Sequence, residues 1–256
     1  MINDIDFKKY STDWEIDEYT VIREYIQLVF LGALYQNKNS EKVFFKGGTA
    51  LRLIYDSIRF SEDLDFDSKL SYSDLQTLLK KSTKDIQNFL PGIRLDIIDN
   101  KYDNFRAKLK YENISLSQPL NIRIDINTKE EWLEENTSLL KSSMPIPYAS
   151  IIKVFGVSEI LSEKIRALMS RSKGRDMFDI WLLLSRDVKI DHNLLSQKMK
   201  LYENTVTLEE IKKRVQIFDD KKLKNDLNKF LPLRQRSIIS HLKLSLIELL
   251  DKHSSI

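Results

Sequence analysis

A strand, a double-glycine turn and a short helix, predicted in residues 43–66, form the feature that most constrains this chain. The stretch reads VFFKGGTALRLIYDSIRFSEDLDF. The apolar residues 43–45 predict a strand, and helix-forming residues follow Gly47 and Gly48. Glycine lets the backbone approach a ligand closely, and N–H groups at the start of a helix suit an anion such as phosphate. Many double glycines form only a tight turn, and the Gly-Lys-Ser/Thr sequence of a P-loop does not follow here.

Two aspartates at the end of this stretch predict a metal site. Asp63 and Asp65 are two residues apart, so in a strand their side chains lie on the same face. Two neighbouring carboxylates repel each other when they have only a structural role, whereas together they are good ligands for Mg²⁺. A solvated turn is the alternative interpretation.

The same aspartates also resemble the start of a calcium-binding EF-hand loop. Asp63, Asp65 and Asp67 have the alternating spacing of such a loop. However, Ser68 stands where the loop needs glycine, and Asp74 stands where it needs a bidentate glutamate. We therefore favour a strand that carries a magnesium site.

A third carboxylate is predicted on a later strand. Residues 93–98, 105–111 and 120–126 alternate between apolar and polar side chains, which is typical of strands. In the third stretch the isoleucines lie on one face, so Asp125 lies on the opposite, polar face. Asp125 is our candidate for the third metal ligand.

Helical spacing dominates the rest of the chain and indicates two domains. Residues 17–36 and 71–89 each have an apolar helical face before the predicted boundary near residue 155. We expect a catalytic domain over residues 1–155 and a helical domain over residues 156–256. The helices predicted in the second domain are 158–170, 175–186, 191–202, 207–218, 220–230 and 234–251.

The distribution of charge separates the two halves more clearly than the net charge of +3 does. Residues 1–150 carry 20 Lys and Arg against 24 Asp and Glu, whereas residues 151–256 carry 21 against 14, so the net charges are −4 and +7. This asymmetry predicts a basic surface in the second half. The chain has no cysteine, which excludes disulfides and cysteine zinc sites, and its three histidines lack metal-ligand spacing. No apolar run is long enough to span a membrane, so we expect a cytoplasmic protein.

A cluster of charges in the second half is a further candidate site. Lys164, Arg171, Lys173, Arg175 and Asp176 lie within a short stretch of predicted helices. A solvated basic helix face is the structural alternative.

Taken together, these motifs resemble the nucleotidyltransferases of the polymerase-β superfamily, whose signature is a strand, Gly-Gly or Gly-Ser, a helix and Asp-x-Asp. More narrowly, residues 45–51 (FKGGTAL) and 59–66 (RFSEDLDF) are similar to the AbiEii/AbiGii toxin family of abortive-infection systems. Residues 158–168 and 175–181 are similar to the downstream Glu-Lys and Arg-Asp-x-x-Asp motifs of that family. The four motifs occur in the family's order.

The resemblance implies an α+β fold, in which a polymerase-β-like nucleotidyltransferase domain with a mixed sheet precedes an all-helical C-terminal domain. It also implies magnesium-dependent transfer of a nucleotide from a nucleoside triphosphate, with two metal ions expected at the site. In that picture Lys164 and Asp176 lie across the cleft from the metal site. The implied roles are nucleotide binding by Gly47, Gly48, Thr49 and Ser61, catalysis by Asp63, Asp65, Lys164 and Asp176, and metal binding by Asp63, Asp65 and Asp125.

The implied acceptor is the end of a tRNA or another RNA, held by the basic C-terminal half, and its modification would block translation in abortive infection by phage. A cognate antitoxin is the other implied partner, and it need not bind the toxin stably. Two alternatives stay open: transfer of a nucleotide to a protein hydroxyl, and a catalytically silent binding module. The silent module is disfavoured, because it would have no reason to retain Asp63 and Asp65 beside the double glycine.

Overall fold

The protein is described from a computed structural model over residues 5–98, 104–112, 116, 118–200 and 206–253. The chain forms two compact units. The sheet unit comprises residues 1–131 and 135–155, and the helical unit comprises residues 132–134 and 156–256. No helix in the described ranges is long and apolar enough to cross a membrane.

A seven-stranded mixed sheet is the centre of the sheet unit. Its order is β3-β4-β5-β2-β1-β7-β6, in which the β2–β5 and β1–β7 pairs are parallel and the other pairs are antiparallel. The strands are β1 (Val43–Lys46), β2 (Leu64–Ser68), β3 (Ile93–Ile98), β4 (Asn104–Tyr111), β5 (Leu120–Asn127), β6 (Glu135–Leu139) and β7 (Ile151–Phe155).

The described residues of this unit form four α-helices, and two of them cover the apolar face of the sheet. They are α1 (Phe7–Trp14), α2 (Glu18–Leu34), α3 (Gly47–Leu53) and α4 (Tyr72–Ile86), and a short 3-10 helix spans Ser40–Lys42. Helix α2 begins after Asp17, whose carboxylate accepts a hydrogen bond from the Thr20 N–H. It is buried from Thr20 to Leu34 and contacts β5, while α4 contacts β3.

Alternation along the strands separates the core from the site. The apolar members of β1, β2 and β5 are buried: Val43, Phe45, Leu64, Phe66, Ile122, Ile124 and Ile126. Their polar neighbours, including Asp65 and Asp125, therefore point to the opposite face. This arrangement confirms the α+β class and the mixed sheet.

The helical unit contains six α-helices among its described residues. These are α5 (Val157–Ser170), α6 (Gly174–Leu184), α7 (His192–Lys200), α8 (Leu208–Gln216), α9 (Asp220–Asn228) and α10 (Leu242–His253). The prediction of one helix over residues 234–251 is wrong, because Leu233–Ser240 form a 3-10 helix and α10 begins only at Leu242. Serines and β-branched residues disfavour an α-helix there, and the Ser240 hydroxyl donates to the Ser237 carbonyl.

Candidate active site

The double-glycine turn lies directly against an aspartate carboxylate. Gly47 begins α3 with φ +77°, a left-handed conformation that favours glycine. A Cβ placed on Gly47 would lie only 2.3 Å from Oδ2 of Asp65. Both the backbone conformation and the space therefore require glycine, and they bring the backbone of the turn next to Asp65.

The second glycine is enclosed by two polar side chains from the loop before β2. A Cβ on Gly48 would lie 2.6 Å from Nη2 of Arg59 and 2.9 Å from Oγ of Ser61. Ser61 is thus beside the turn, as the predicted nucleotide-binding role requires. Arg59 is buried and its Nη1 donates to the Phe60 carbonyl, 2.8 Å away. Sequence reasoning did not select Arg59, although an arginine inside the matching motif could have been the signal.

Two hydrogen-bonding side chains fix the segment that leads into β2. The Thr49 hydroxyl donates to the main-chain carbonyl of Asp63. From α2, Nε2 of the buried Gln27 donates to the carbonyls of Ser61 and Glu62, at 3.3 and 3.1 Å. Thr49 therefore has a positioning contact through its side chain, and the backbone around Asp63 is held from both sides.

Two of the three predicted metal ligands occupy neighbouring positions in the sheet. Asp65 on β2 and Asp125 on β5 are in-register partners on neighbouring parallel strands, so their side chains leave the same face about 4.8 Å apart at the backbone. Asp63 immediately precedes β2. Because the Asp-x-Asp-x-Asp triplet runs into a strand, it does not form the calcium-binding loop of an EF-hand.

Basic side chains from the same sheet partner these aspartates. Arg123 on β5 binds Asp63 with both ends of its guanidinium, Nε to Oδ1 at 3.0 Å and Nη2 to Oδ2 at 2.7 Å. This hydrogen bonding, together with the charge of Asp63, raises the pKa of Arg123 above its ordinary value. Nε of Arg106 lies 3.2 Å from Oδ1 of Asp125.

A further pair is buried beside them and was not selected from the sequence. Nζ of Lys46, at the end of β1, lies 2.8 Å from Oδ1 of Asp67 on β2, and both residues are buried. Lys46 is also the in-register partner of Asp65 on the antiparallel β1–β2 pair. It therefore places a positive charge next to the glycine turn.

The donor set of this face fits a divalent cation of the magnesium type. It consists of carboxylate oxygens from neighbouring positions on two strands, which are the hard ligands that Mg²⁺ prefers. Oδ2 of Asp65 lies 2.3 Å from where a Cβ of Gly47 would be, so this carboxylate is directly next to the glycine backbone. Asp63, Asp65 and Asp125 stay the predicted metal ligands, with Asp65 and Asp125 on neighbouring strands.

The other predicted site residues lie in the helical unit, where the structure brings them into one ion-pair network. Nζ of Lys164 on α5 lies 2.7 Å from Oδ2 of Asp179 and 3.6 Å from Oδ1 of Asp176, both on α6. Arg171 binds Asp176 through two hydrogen bonds of 2.8 and 2.9 Å. Lys164, Asp176 and Asp179 are buried, so the network joins α5 to α6 as well as fixing the Lys164 ammonium.

A second buried lysine, on α7, also contacts α5. Nζ of Lys198 lies 2.5 Å from Oε1 of Glu159 and 3.7 Å from Oε1 of Glu163. The Glu159 carboxylate also accepts from the N–H groups of Leu133 and Glu134, both at 3.2 Å. No sequence motif pointed to Lys198.

Residues 29–236 match the family described as nucleotidyl transferase AbiEii toxin, type IV toxin–antitoxin system. The chain belongs to this family. The match contains all four motifs on which the resemblance was based. Comparison with curated proteins gives no significant match.

Solved structures agree with the AbiEii family in their fold. The chain is similar to JHP933 from Helicobacter pylori, with 22% identity, a TM-score of 0.60 and 94% of each chain covered. It is also similar to MenT4, a nucleotidyltransferase toxin from Mycobacterium tuberculosis, with 15% identity, a TM-score of 0.55, and 93% of this chain and 85% of MenT4 covered. At these identities the likeness shows a shared fold for this AbiEii-family chain.

Proposed function

We propose that this chain transfers a nucleotide from a nucleoside triphosphate to the acceptor end of a tRNA, in a magnesium-dependent reaction that releases pyrophosphate. The modification would block translation, and the chain would act as the toxin of an abortive-infection system against phage. Its partners would be the triphosphate, the RNA and a cognate antitoxin that need not bind stably. The family match supports nucleotidyl transfer, and the geometry of the sheet unit supports the assignment of residues.

The observation that carries the proposal is the in-register pair Asp65 and Asp125 beside the Gly47 turn. Carboxylates on adjacent parallel strands offer several oxygens to one small region. The glycine turn next to them offers main-chain N–H groups with no side chain in the way. A triphosphate needs both a cation and close hydrogen-bond donors, and these two features supply them side by side.

Each residue of the sheet unit has a proposed task. Asp63, Asp65 and Asp125 would hold the metal, which when bound supplies positive charge against the triphosphate and lowers the pKa of the attacking hydroxyl. Gly47 and Gly48 would bind phosphate oxygens through their backbone. Ser61 would donate a hydrogen bond from its hydroxyl next to Gly48. Its Oγ lies 2.9 Å from where a Cβ of Gly48 would be. Thr49 would keep Asp63 in position through the hydrogen bond to its carbonyl.

The helical unit would contribute Lys164 and Asp176. The ammonium of Lys164 lies between Asp176 and Asp179, which fixes its position. A compact, fixed positive charge is suited to a phosphate group. We propose that Asp176 positions Lys164 and is itself positioned by Arg171.

The RNA would be held mainly by the basic second half of the chain. Residues 151–256 carry the excess of Lys and Arg, and phosphate contacts position a nucleic acid without reading its bases. Such contacts would bring the end of the RNA to the reacting groups but would not recognise its base sequence.

The direct test is incubation of the purified protein with each of the four labelled nucleoside triphosphates, Mg²⁺, and either total tRNA or total cell protein. The proposal predicts label on tRNA with at least one triphosphate, and no label when Mg²⁺ is chelated. Label on protein would establish the protein-hydroxyl alternative instead. If neither tRNA nor protein is labelled, the result would contradict nucleotidyl transfer and favour the silent module.

A further inference from the structure

We propose that Arg123 is a built-in counter-cation that occupies Asp63 and competes with the divalent cation for it. The inference rests on the proposed function in one respect: it takes Asp63 to be a metal ligand. Arg123 would therefore set the metal concentration at which the site fills. No motif singled out this arginine, because it lies 60 residues from Asp63 in the chain.

The geometry of the contact engages both carboxylate oxygens. Nε and Nη2 of Arg123 donate to Oδ1 and Oδ2 of Asp63 at 3.0 and 2.7 Å, which is a parallel, two-bond arrangement. Such charge-assisted pairs are stronger than single hydrogen bonds. A cation that binds Asp63 must compete with the charge of the guanidinium at these two oxygens.

The guanidinium cannot yield the site by losing its proton. Arginine remains charged under all ordinary conditions, and the contact with Asp63 raises the pKa of Arg123 further. Arg123 can therefore release Asp63 only by moving away. Its side chain is 58% exposed, whereas that of Asp63 is 22% exposed, so the arginine has room to move into solvent while the aspartate stays in place.

Two neighbouring ion pairs differ from the Arg123–Asp63 pair in burial or in hydrogen bonding. Lys46 and Asp67 are both buried, so their contact has the character of a structural pair. Arg106 is also exposed, and its Nε lies 3.2 Å from Oδ1 of Asp125, which is longer than either hydrogen bond between Arg123 and Asp63. Arg123 combines exposure with two short hydrogen bonds to a candidate ligand, and it therefore has the features of a displaceable competitor.

The test is Mn²⁺ binding, measured from the electron paramagnetic resonance signal of the unbound ion, in the wild-type protein and in Arg123→Gln. Glutamine keeps much of the side-chain length but removes the charge. We expect Arg123→Gln to bind Mn²⁺ more tightly by about fivefold, the gain that corresponds to loss of an exposed ion pair at the strong end of its range. Arg123→Lys keeps the charge and loses the two-bond geometry of the guanidinium, so its Mn²⁺ affinity should lie between those of the wild-type protein and Arg123→Gln.

Arg94→Gln is the matched control. Arg94 forms an ion pair with Glu112 between β3 and β4 of the same sheet, with side-chain exposures of 59% and 50%. Its removal changes the net charge by the same amount without touching a candidate ligand, so Mn²⁺ affinity should stay within about twofold of wild type, because the sites are far apart and screened by salt. In an Asp63→Asn background, Arg123→Gln should no longer increase the affinity.

The outcomes separate this inference from the proposed function. A structural role for Arg123 would make Mn²⁺ binding weaker or leave it unchanged in Arg123→Gln, and either result overturns the inference while the metal site stands. An equal increase in Arg94→Gln also overturns it, because the effect would then be one of net charge. If the wild-type protein, Arg123→Gln and Arg94→Gln all bind no Mn²⁺, the inference and the proposed metal site fail together.

Discussion

Oδ2 of Asp65 lies in the space that a side chain at Gly47 would need, 2.3 Å from the position of a Cβ. The backbone of Gly47 also has φ +77°. The glycine is thus fixed by a carboxylate that we assign to metal binding, and it connects the turn after β1 to the chemistry at β2.

We predict that Gly47→Ala removes nucleotide transfer and also lowers stability. The alanine must adopt a left-handed backbone conformation and displace the Asp65 carboxylate, which together should reduce the free energy of unfolding by about 1–3 kcal/mol. Urea unfolding measures the stability, and labelled-nucleotide transfer at a temperature where the variant is folded measures the activity.

Gly92→Ala is the control for this variant. Gly92 has φ +90°, and a Cβ there would lie 2.4 Å from the Glu112 carbonyl oxygen, away from the proposed site residues. It should lose stability to a similar degree and keep transfer activity while it is folded. If Gly47→Ala were as active as Gly92→Ala, the double glycine would be a plain turn.

We predict that Lys164→Ala loses both stability and activity. Asp179 is buried and its ion pair with Lys164 would be broken, so the free energy of unfolding should fall by about 3–5 kcal/mol. Transfer should fall strongly even where the variant is folded, and Lys164→Arg should restore it only in part, because a guanidinium imposes a different geometry. Urea unfolding and transfer assays on the same samples measure both effects.

A second buried lysine provides the comparison for Lys164. Lys198→Met breaks the ion pair with Glu159 on the same helix α5. It should destabilise the protein by a comparable amount, yet folded Lys198→Met should transfer nucleotide at a near wild-type rate. Equal residual activity of folded Lys164→Ala and Lys198→Met would reduce Lys164 to a structural role.

We predict that RNA binding weakens as salt rises and depends on basic residues of the helical unit. Arg171 is a poor choice for charge reversal because it binds Asp176. Lys221 and Lys224 on α9 are exposed, so Lys221→Glu with Lys224→Glu should weaken RNA affinity and leave triphosphate affinity unchanged. Each phosphate contact that is lost should reduce the log–log salt slope by roughly 0.7–0.9.

The matched control for this reversal is Lys80→Glu with Lys81→Glu, on the exposed surface of α4 in the acidic half. Both double variants change the net charge equally. An equal loss of RNA affinity in the two would show that total charge matters and that no surface of the helical unit is used. Unchanged affinity and slope in the α9 variant would place the RNA contacts elsewhere.

The alternation of apolar and polar residues and the double glycine were sufficient to predict much of the sheet unit. The strands around Asp65 and Asp125 alternate between buried apolar and polar residues, so their shared face follows from period two alone. Strand β6, which reads ENTSL, was missed because it is an exposed edge strand without an apolar face. Helix α1 was missed for a similar reason, since none of its residues is buried.

Contacts between distant residues could not be predicted in this way. Arg123 and Asp63 meet because β5 lies beside β2, which is a property of the sheet order and not of local pattern. The contact of Lys198 with Glu159 likewise depends on the packing of α7 against α5. Periodicity indicates which face of an element is buried, but it does not indicate which element covers that face.

Asp65→Asn tests whether the carboxylates beside the glycine turn are required for nucleotide transfer. Asparagine keeps the shape of the side chain and removes its charge, which should raise the barrier by several kcal/mol and leave the protein folded. The measurement is the rate of label transfer from nucleoside triphosphate to tRNA, with thermal unfolding recorded on the same sample. We expect labelled tRNA with the wild-type protein and at least about a hundredfold less with Asp65→Asn, by analogy with the loss of one preorganised group. The melting temperature of Asp65→Asn should be unchanged or higher. Transfer by folded Asp65→Asn at a near wild-type rate would contradict the account.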